Sequence, residues 1–417
     1  MSAKKMFHAA CSIAALALSF GAAAQEYPAS LPPQEMVRNT LEQLPQVKAA
    51  RNGIDLEEAN AGRLRAGPYE WMVKGGLQRR TESASGTRYR ENELAVERPI
   101  RWFGKGDKDR VLGEQRVKTA GFALADTWHE AGRAFLRSWF DAMREARTAA
   151  RLQEQADLLK QQADVVRKRV KAGDAPRVEL MLADTEYERA SAAQAQAEQR
   201  AARVLSALQS QYPGAQLRVP QPLPEPVPLT GGAGEWKQRI LADNHEIELA
   251  RSMADQEKLN AERLALDRMP DPTLGVRMAQ ERDRQEKIVG VTFSIPLSGS
   301  LRRSQHEAGL AQARIAEDKA AQVSVKAESD AMSVAMNAEA AYETWHRLAQ
   351  VAKQTDDNTA LVSKAYSLGE ASLSELLFAR RQSMEAAASA EAMQLDALEA
   401  QARLLLDAHR IWQFEEH

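Results

Sequence analysis

The sequence predicts a mainly α fold with a small β part, built from two similar halves. Three observations predict it: helical patterning that runs unbroken for about 65 residues, landmark residues that recur once along the chain, and short segments of alternating apolar residues. Each half is expected to contain, in order, a helix of moderate length, a β-hairpin, a very long helix and a final helix.

An internal duplication is indicated by residues that recur at a nearly constant offset. Pro99 corresponds to Pro296 at an offset of 197 residues, and Gly173 corresponds to Gly369 at 196. One long period of this kind predicts a duplicated half rather than a solenoid. The predicted division is a first repeat at 25–217 with its hairpin at about 69–100, a linker at 218–228, and a second repeat at 229–417 with its hairpin at about 272–297.

The linker has proline at every second position, which forbids helix and favours an extended, stiff connector. These prolines are Pro220, Pro222, Pro224, Pro226 and Pro228.

Apolar residues at helical spacing, separated by many Ala and Ser, predict three helices in each half. Small residues on more than one face let a helix pack against two neighbours, as a closed tube of helices requires. At ~1.5 Å per residue the longest helices approach 100 Å, more than a globular domain uses. Gly173 and Gly369 follow them and suit a left-handed helix end. The predicted helices cover about 33–65, 107–171 and 177–210, then about 235–267, 302–367 and 373–414.

The hairpin segments alternate as the strands of membrane barrels do. Val289, Val291 and Phe293 are separated by small or polar residues, so one face is bulky and apolar. With the halves aligned on their prolines, Leu94 and Val96 fall on Val291 and Phe293, so the alternation is duplicated too. A soluble hairpin packed on a helix is the alternative. Four strands are too few to close a barrel, so a barrel would require several chains.

Residues 1–24 have the features of a secretory signal peptide. Lys4 and Lys5 precede an apolar stretch that is too short to span a bilayer, and small residues precede a cleavage point at about Gln25. A membrane anchor is the alternative. The single cysteine, Cys11, lies within this segment, so the mature chain has no thiol for a disulfide, a zinc site or a nucleophile.

No catalytic motif is present, and neither an enzyme nor a cofactor is predicted. The sequence lacks a phosphate-binding glycine loop, Gly-x-Ser-x-Gly and His-Glu-x-x-His. With 56 Lys and Arg against 58 Asp and Glu, the net charge of −2 argues against nucleic-acid binding driven by bulk charge. The histidines are scattered without metal-ligand spacing, which predicts no metal site within one chain; they are His8, His129, His245, His306, His346, His409 and His417.

Aromatic residues bracket the first hairpin. Tyr69 and Trp71 lie at its start, and Trp102 and Phe103 follow its end. Two interpretations are equally supported: an aromatic girdle at a membrane interface, or packing at a junction between strand and helix.

The order of elements, present twice, resembles the TolC-type outer-membrane factors over essentially the whole chain after residue 24. The motifs are Leu-Pro-Gln-Val at 44–47 and Asn-His-Glu-Ile at 244–247, near the first helix of each half, and Tyr-Ser-Leu-Gly at 366–369, followed by Leu373. The segments at 97–105 and 294–297 look like the strand-to-helix junctions of the heavy-metal (Czc-type) branch. The Arg-Trp-Phe at 101–103 departs from that pattern.

The resemblance implies a homotrimer in which three chains of four strands form a twelve-stranded transmembrane β-barrel and the long helices form a periplasmic α-barrel. The implied function is the outer-membrane exit duct of a tripartite efflux pump for small solutes, heavy-metal cations among them. The implied partners are a periplasmic adaptor (membrane fusion) protein, an inner-membrane pump of the RND type and outer-membrane lipid. A duct for drugs or secreted protein, a periplasmic adaptor and an exported coiled-coil structural protein remain alternatives.

The resemblance also implies roles for single residues in the membrane region. Pro99 and Pro296 would bend the chain from strand to helix, since proline fixes φ and lacks an N–H. Val289, Val291 and Phe293 would face lipid.

Further roles are implied at the periplasmic tip, formed by the turns at Gly173 and Gly369, where an adaptor would dock. Glu375 matches the first acidic residue of the ring around the family's entrance, whereas the second position is Phe378 here. Glu179 is the duplicate of Glu375. The alternative is that Glu375 is a solvated helix charge or pairs with Arg380 or Arg381.

Overall fold

The computed structural model describes residues 27–414 and confirms the mainly α fold with a small β part. The predicted signal peptide lies outside these residues. Within the described residues, each half supplies four helices and one hairpin, in the predicted order except that the first predicted helix of each half is divided in two. The elements are α1 (Gln34–Gln43), α2 (Pro45–Ala66), β1 (Met72–Thr81), β2 (Arg88–Pro99), α3 (Lys105–Ala172), α4 (Arg177–Gln211), α5 (Gly232–Ala242), α6 (His245–Asp267), β3 (Thr273–Glu281), β4 (Glu286–Ser294), α7 (Ser300–Ser367) and α8 (Leu373–Asp407).

The prediction of one continuous helix at the start of each half was wrong. The first breaks at Leu44, whose backbone is extended at φ −62° and ψ 135° because the following Pro45 disfavours a helical residue before it. The second breaks at Asp243, after which the Asn244 side chain accepts a hydrogen bond from the Ile247 N–H at 2.9 Å and starts α6. The first break falls in the motif at 44–47, and the second falls directly before the motif at 244–247.

The two long helices, α3 and α7, are each 68 residues, about 100 Å at the usual rise. Small residues let the helix that precedes each hairpin approach the long helix of the same half closely. A Cβ on Gly113 would lie 2.9 Å from the Ala61 Cβ, and one on Gly309 would lie 2.7 Å from Leu264 Cδ1. The same close approach therefore occurs in both halves, between α2 and α3 and between α6 and α7.

The largest hydrophobic core lies near the middle of α3, where α1, α5 and α8 contribute residues to it. Phe135 and Trp139 of α3 are fully buried against Leu41 of α1, Ile240 of α5 and residues of α8. A second, smaller core of mostly Ala and Leu packs α3 and α4 against the start of α8. The proline-rich linker runs along α8, where the Gln394 amide donates to the Pro224 carbonyl at 2.9 Å.

Helix α8 ends at Asp407 rather than at the predicted Phe414. The chain leaves the helix through His409, which has a left-handed φ of 54°, and the Arg410 N–H bonds back to the Leu405 carbonyl at 2.8 Å. No glycine marks this end, which is why the sequence pattern did not reveal it. Among the described residues, no helix is both long and apolar enough to cross a membrane.

Candidate functional surfaces: the sheet, its junctions and the helical tip

The four strands form one antiparallel sheet in the order β1-β2-β3-β4. The central pair, β2 and β3, joins the two halves of the chain, with Val96 opposite Val276. On β4, Val291 lies opposite Val276 and Phe293 lies opposite Leu274. The apolar residues of neighbouring strands therefore meet in rows on one face of the sheet.

This apolar face is the exposed one. Val291 is 79% exposed and Leu77 is 91% exposed, and Val289 and Phe293 are likewise exposed. A soluble sheet would turn such a face inward, because burying apolar area is the main driving force of folding. The candidate lipid-facing residues Val289, Val291 and Phe293 thus lie together on a continuous apolar surface.

The opposite face carries the charges. Glu91 is only 5% exposed and lies 3.1 Å from the Arg80 guanidinium, and Arg277 lies 2.9 Å from Glu93. Lys74 pairs with Glu97 on the same face. One face of the sheet is apolar and exposed and the other carries ion pairs, an alternation that is typical of the wall of a water-filled barrel.

Below the sheet, the junctions lead from strand to helix at the two candidate prolines. Pro99 is the last residue of β2, six residues before α3 begins, and Pro296 lies two residues after β4. Between Pro99 and α3, Phe103 and Gly104 both have left-handed φ, 57° and 72°. Here the chain turns from the strand into the long helix.

A buried lysine occupies the first junction, and the sequence patterns did not reveal its role. Lys105 is fully buried; its Nζ donates to the Met269 carbonyl at 2.7 Å and to Asp271 Oδ1 at 2.9 Å. Asp271 also accepts from the Tyr69 hydroxyl at 2.6 Å and the Trp102 N–H at 3.1 Å. Burial raises the pKa of Asp271, but these hydrogen bonds outweigh it and hold the pKa below its usual value.

The aromatic residues near this junction divide between the two interpretations. Tyr69 belongs to the hydrogen-bonded network around Asp271, and burial raises its pKa to about 12. Trp102 and Phe103 stack on each other with ring centroids 5.0 Å apart and stay partly exposed, and the Arg98 guanidinium lies 5.5 Å from the exposed Trp71 ring. Packing therefore explains Tyr69, whereas the other three keep the exposure that a girdle requires.

One difference between the two junctions lies at the duplicate positions Arg101 and Ser298. The Arg101 guanidinium donates to the Leu64 carbonyl at 2.6 Å, the Arg65 carbonyl at 2.8 Å and Asp109 at 2.9 Å, and so caps the end of α2. Its duplicate, Ser298, reaches only the Arg268 carbonyl at 2.5 Å, at the end of α6. The short side chain leaves a cavity of about 560 Å³ lined by Arg268, Arg302 and Arg303.

At the other end of the molecule, the helical tip contains the two candidate glycines. Gly173 has φ 83° and Gly369 has φ 80°, the left-handed conformation expected of them. The two turns are linked: the Arg169 guanidinium donates to the Tyr366 hydroxyl at 2.6 Å and lies 5.6 Å from its ring. The tips of both halves therefore lie side by side.

Of the acidic candidates at the tip, Glu375 has a structural role. It closes a capping box at the start of α8: its carboxylate accepts from the Ser372 N–H at 2.7 Å, and the Ser372 hydroxyl accepts from the Glu375 N–H at 3.2 Å. Its carboxyl is exposed, and the backbone hydrogen bond with Ser372 lowers its pKa. The Arg380 guanidinium instead donates to Gln162 at 3.0 Å. Glu179 lies half-buried in the first turn of α4.

Three histidines that look scattered in the sequence meet in the fold. His129 of α3, His245 of α6 and His409 beyond α8 have ring centroids 4.6 to 6.1 Å apart. Asp407 accepts from His129 at 3.2 Å and from Arg133 at 2.9 Å. Among residues 27–414, no group of three His, Cys, Asp or Glu side chains is placed to hold a metal ion. Burial lowers the pKa of His129 and of His409.

No family model and no curated protein sequence matches the chain. Solved structures share its fold. The CmeC outer membrane channel of Campylobacter jejuni superposes with a TM-score of 0.75 at 12% identity, over 92% of this chain and 86% of that one. The outer membrane protein VceC of Vibrio cholerae gives 0.73 at 15% identity, over 91% and 96%. The MtrE outer membrane channel of Neisseria gonorrhoeae, in its open state, gives 0.72 at 15% identity, over 91% and 90%.

The chain therefore has the fold of outer-membrane channels over about nine-tenths of its length. The resemblance to the TolC-type factors that the sequence motifs indicated is confirmed at the level of the fold.

Proposed function

We propose that this protein is an outer-membrane exit duct of a tripartite efflux pump. The observation that carries the proposal is the sheet, which exposes an apolar face and carries its ion pairs on the opposite face. Such a sheet is stable only if lipid covers the apolar face. The fold shared with outer-membrane channels supports the same conclusion.

The proposal includes a homotrimer. One chain supplies four strands with two free edges, and backbone groups at a free edge cannot be left unpaired in lipid. Three copies would supply twelve strands, and their pairs of 68-residue helices would enclose a periplasmic tube about 100 Å long. A chain of this kind acts with a periplasmic adaptor, which the tip around Gly173 and Gly369 would contact, and with an inner-membrane pump of the RND type.

We propose small solutes as the transported class, with heavy-metal cations as the first to test, on the strength of the junction motif at 97–105. A duct needs no tight site for its cargo, because strong binding would slow exit. Glu375 and Glu179 are proposed to line the entrance and to favour cations. Residues 1–24 are proposed as the signal that exports the chain.

The first test is the mass of the protein extracted from the outer membrane in detergent. Light scattering corrected for bound detergent should give three times the mass of the mature chain, and unheated protein should migrate faster or slower on a gel than heated protein. A monomer that retains its β signal would contradict the duct. A water-soluble protein that needs no detergent would favour the coiled-coil structural alternative.

A further inference from the structure

The outer strands of the sheet each have one unpaired edge. Within residues 27–414, β1 pairs only with β2, and β4 pairs only with β3. This inference rests on the proposed function, under which both edges lie in lipid and must be paired by another chain. That other chain is a second copy of this one, because the molecule itself contains a pattern for the contact.

The pattern is the contact between the two halves of one chain. There β2 pairs with β3, with Pro99 opposite Thr273, and α3 lies against α6. Strand β4 is the duplicate of β2, and β1 is the duplicate of β3. We infer that the contact between neighbouring copies repeats the contact between the halves. Strand β4 of one copy then pairs antiparallel with β1 of the next, and the residue pairing is that of β2 with β3 carried over to the duplicate positions; we call this pairing the transferred register.

The transferred register is specific. The prolines set an offset of 197 between β2 and β4, and the first residues of β1 and β3, Met72 and Thr273, set an offset of 201. Applied to the register of β2 and β3, these offsets place Thr292 opposite Gly76 of the next copy. Phe293 then lies opposite Gly75 and Val291 opposite Leu77.

Independent features of the strands agree with this register. It pairs residues 74–81 with residues 287–294, which covers almost all of β1 and β4. It places exposed apolar Val291 beside exposed apolar Leu77, whereas a slip of one residue would exchange the faces. A Cβ on Gly75 would meet no atom within 4 Å, so the 60% exposed Phe293 ring has room beside it.

The charged residues at the strand-to-helix junctions also agree with the transferred register. At the contact between the halves, buried Lys105 meets Asp271. The duplicate positions are Arg302 for Lys105 and Glu70 for Asp271. Arg302 lines the 560 Å³ cavity with Arg268 and Arg303, and in the described part of the chain none of these arginines has a carboxylate partner. Glu70 is exposed and has no cationic partner there either.

Three like charges around one cavity repel one another, and a carboxylate placed among them relieves the repulsion. Glu70 of the next copy is the carboxylate that the transferred contact brings to the cavity. The cavity is thus the receiving half of a site that only a second copy completes.

Disulfide cross-linking tests the register, since no cysteine follows residue 11. Directly opposite residues have Cα atoms about 4.5–5.5 Å apart, within the reach of a disulfide, whereas a shift of two residues gives about 7–8 Å. The variant Gly76→Cys with Thr292→Cys should form covalent dimers and trimers on mild oxidation. The matched control, Gly76→Cys with Gly290→Cys, should not.

The outcomes separate this inference from the proposed function. Cross-linking of the control pair, or of neither pair, in a protein whose mass is that of a trimer would overturn the register and leave the duct standing. A monomeric protein would overturn both.

A charge exchange tests the cavity. Glu70→Arg should lower the temperature at which the oligomer dissociates, and adding Arg303→Glu should restore it. Glu188→Arg, at an exposed position on α4, serves as the control and should have no effect. If Glu70→Arg also leaves the dissociation temperature unchanged, Glu70 does not enter the cavity.

Discussion

At the scale of single residues, Glu375 combines a local role with a proposed effect on ions, and the two are separable by chemistry. The capping box uses its carboxylate oxygen as an acceptor, a role that a glutamine oxygen fills as well. The effect on ions depends on its negative charge. Because hydrogen bonds with Ser372 lower its pKa, the carboxyl stays ionised at neutral pH.

We therefore expect Glu375→Gln to keep the helix start intact and to reduce cation selectivity. In planar bilayers, the cation-to-anion permeability ratio should fall by about twofold, since a ring of carboxylates at a mouth concentrates cations. Glu188→Gln, at an exposed position on α4, should leave the ratio unchanged. An unaltered ratio and unaltered block by divalent cations in Glu375→Gln would remove this residue from the entrance.

At the scale of elements, the strands have the simplest rule, because their side chains alternate between the exposed apolar face, which we propose contacts lipid, and the charged face. Val291 belongs to the exposed apolar face, and the neighbouring Thr292 belongs to the charged face. Val291→Arg should strongly reduce the amount of assembled protein in the outer membrane, since a lipid-facing arginine near mid-bilayer costs roughly 2–4 kcal/mol.

Thr292→Arg provides the matched control for this change and should be milder, because its side chain enters the polar side. The readout is the fraction of heat-modifiable oligomer in outer-membrane preparations. Equal tolerance of both substitutions would contradict the membrane assignment of the sheet.

The end of α8 allows a prediction about pH. Burial lowers the pKa of His409 to about 4, and the nearby His129 and His245 add to the effect. The unfolded chain has an ordinary histidine pKa of about 6.5, so between these values it binds more protons than the folded chain. The stability is therefore complete above about pH 6.5 and is lost as the pH falls toward 4.

The loss should be about 1–2 kcal/mol after allowance for the partial exposure of His409. Thermal unfolding followed by circular dichroism at pH 7.5 and pH 4.5 measures it. His409→Asn, which tolerates the left-handed φ of 54°, should flatten this dependence, whereas His306→Gln on α7 should not. The same dependence in His409→Asn would assign it to other groups.

The sequence revealed the elements whose signals are periodic or repeated, and missed those set by single contacts. The long helices and hairpins were predicted to within a few residues because their patterns extend over many turns. The break at Leu44 was missed although Pro45 signals it, because apolar spacing continues across it. The end of α8 was missed because His409, not glycine, takes the left-handed conformation.

The site residues divide in the same way into those that the sequence pattern predicts and those that single contacts determine. The face of Val289, Val291 and Phe293 was predictable, since alternation encodes it. The buried contact of Lys105 with Asp271 was not, because 166 residues separate them and only the pairing of β2 with β3 brings them together. The contact among His129, His245 and His409 was not predictable either, because these residues are far apart in the chain and meet only where α3, α6 and the end of α8 come together.

At the scale of the whole molecule, the two halves are held together by the pairing of β2 with β3 and by the packing of α3 on α6 and on α8. Lys105 lies where the pairing of β2 with β3 meets the packing of α3 on α6. Its three partners all belong to the second half: Lys105 donates to the Met269 carbonyl and to Asp271 and forms an ion pair with Asp267 at 3.4 Å. This one side chain therefore anchors the start of the first long helix to the end of α6.

We expect Lys105→Met to destabilise this joint severely, because it leaves Asp271 buried beside Tyr69 without its cation. Removing one partner of a buried ion pair typically costs about 3–5 kcal/mol. Heating the oligomer in detergent should then show dissociation at a markedly lower temperature than for the native protein. The double variant Lys105→Met with Asp271→Leu should recover much of the loss, since replacing both partners removes the unpaired charge. Lys168→Met, on the same helix but far from the junction, controls for the loss of a lysine. If Lys105→Met dissociates at the native temperature, the halves are held by the sheet and the helix packing alone.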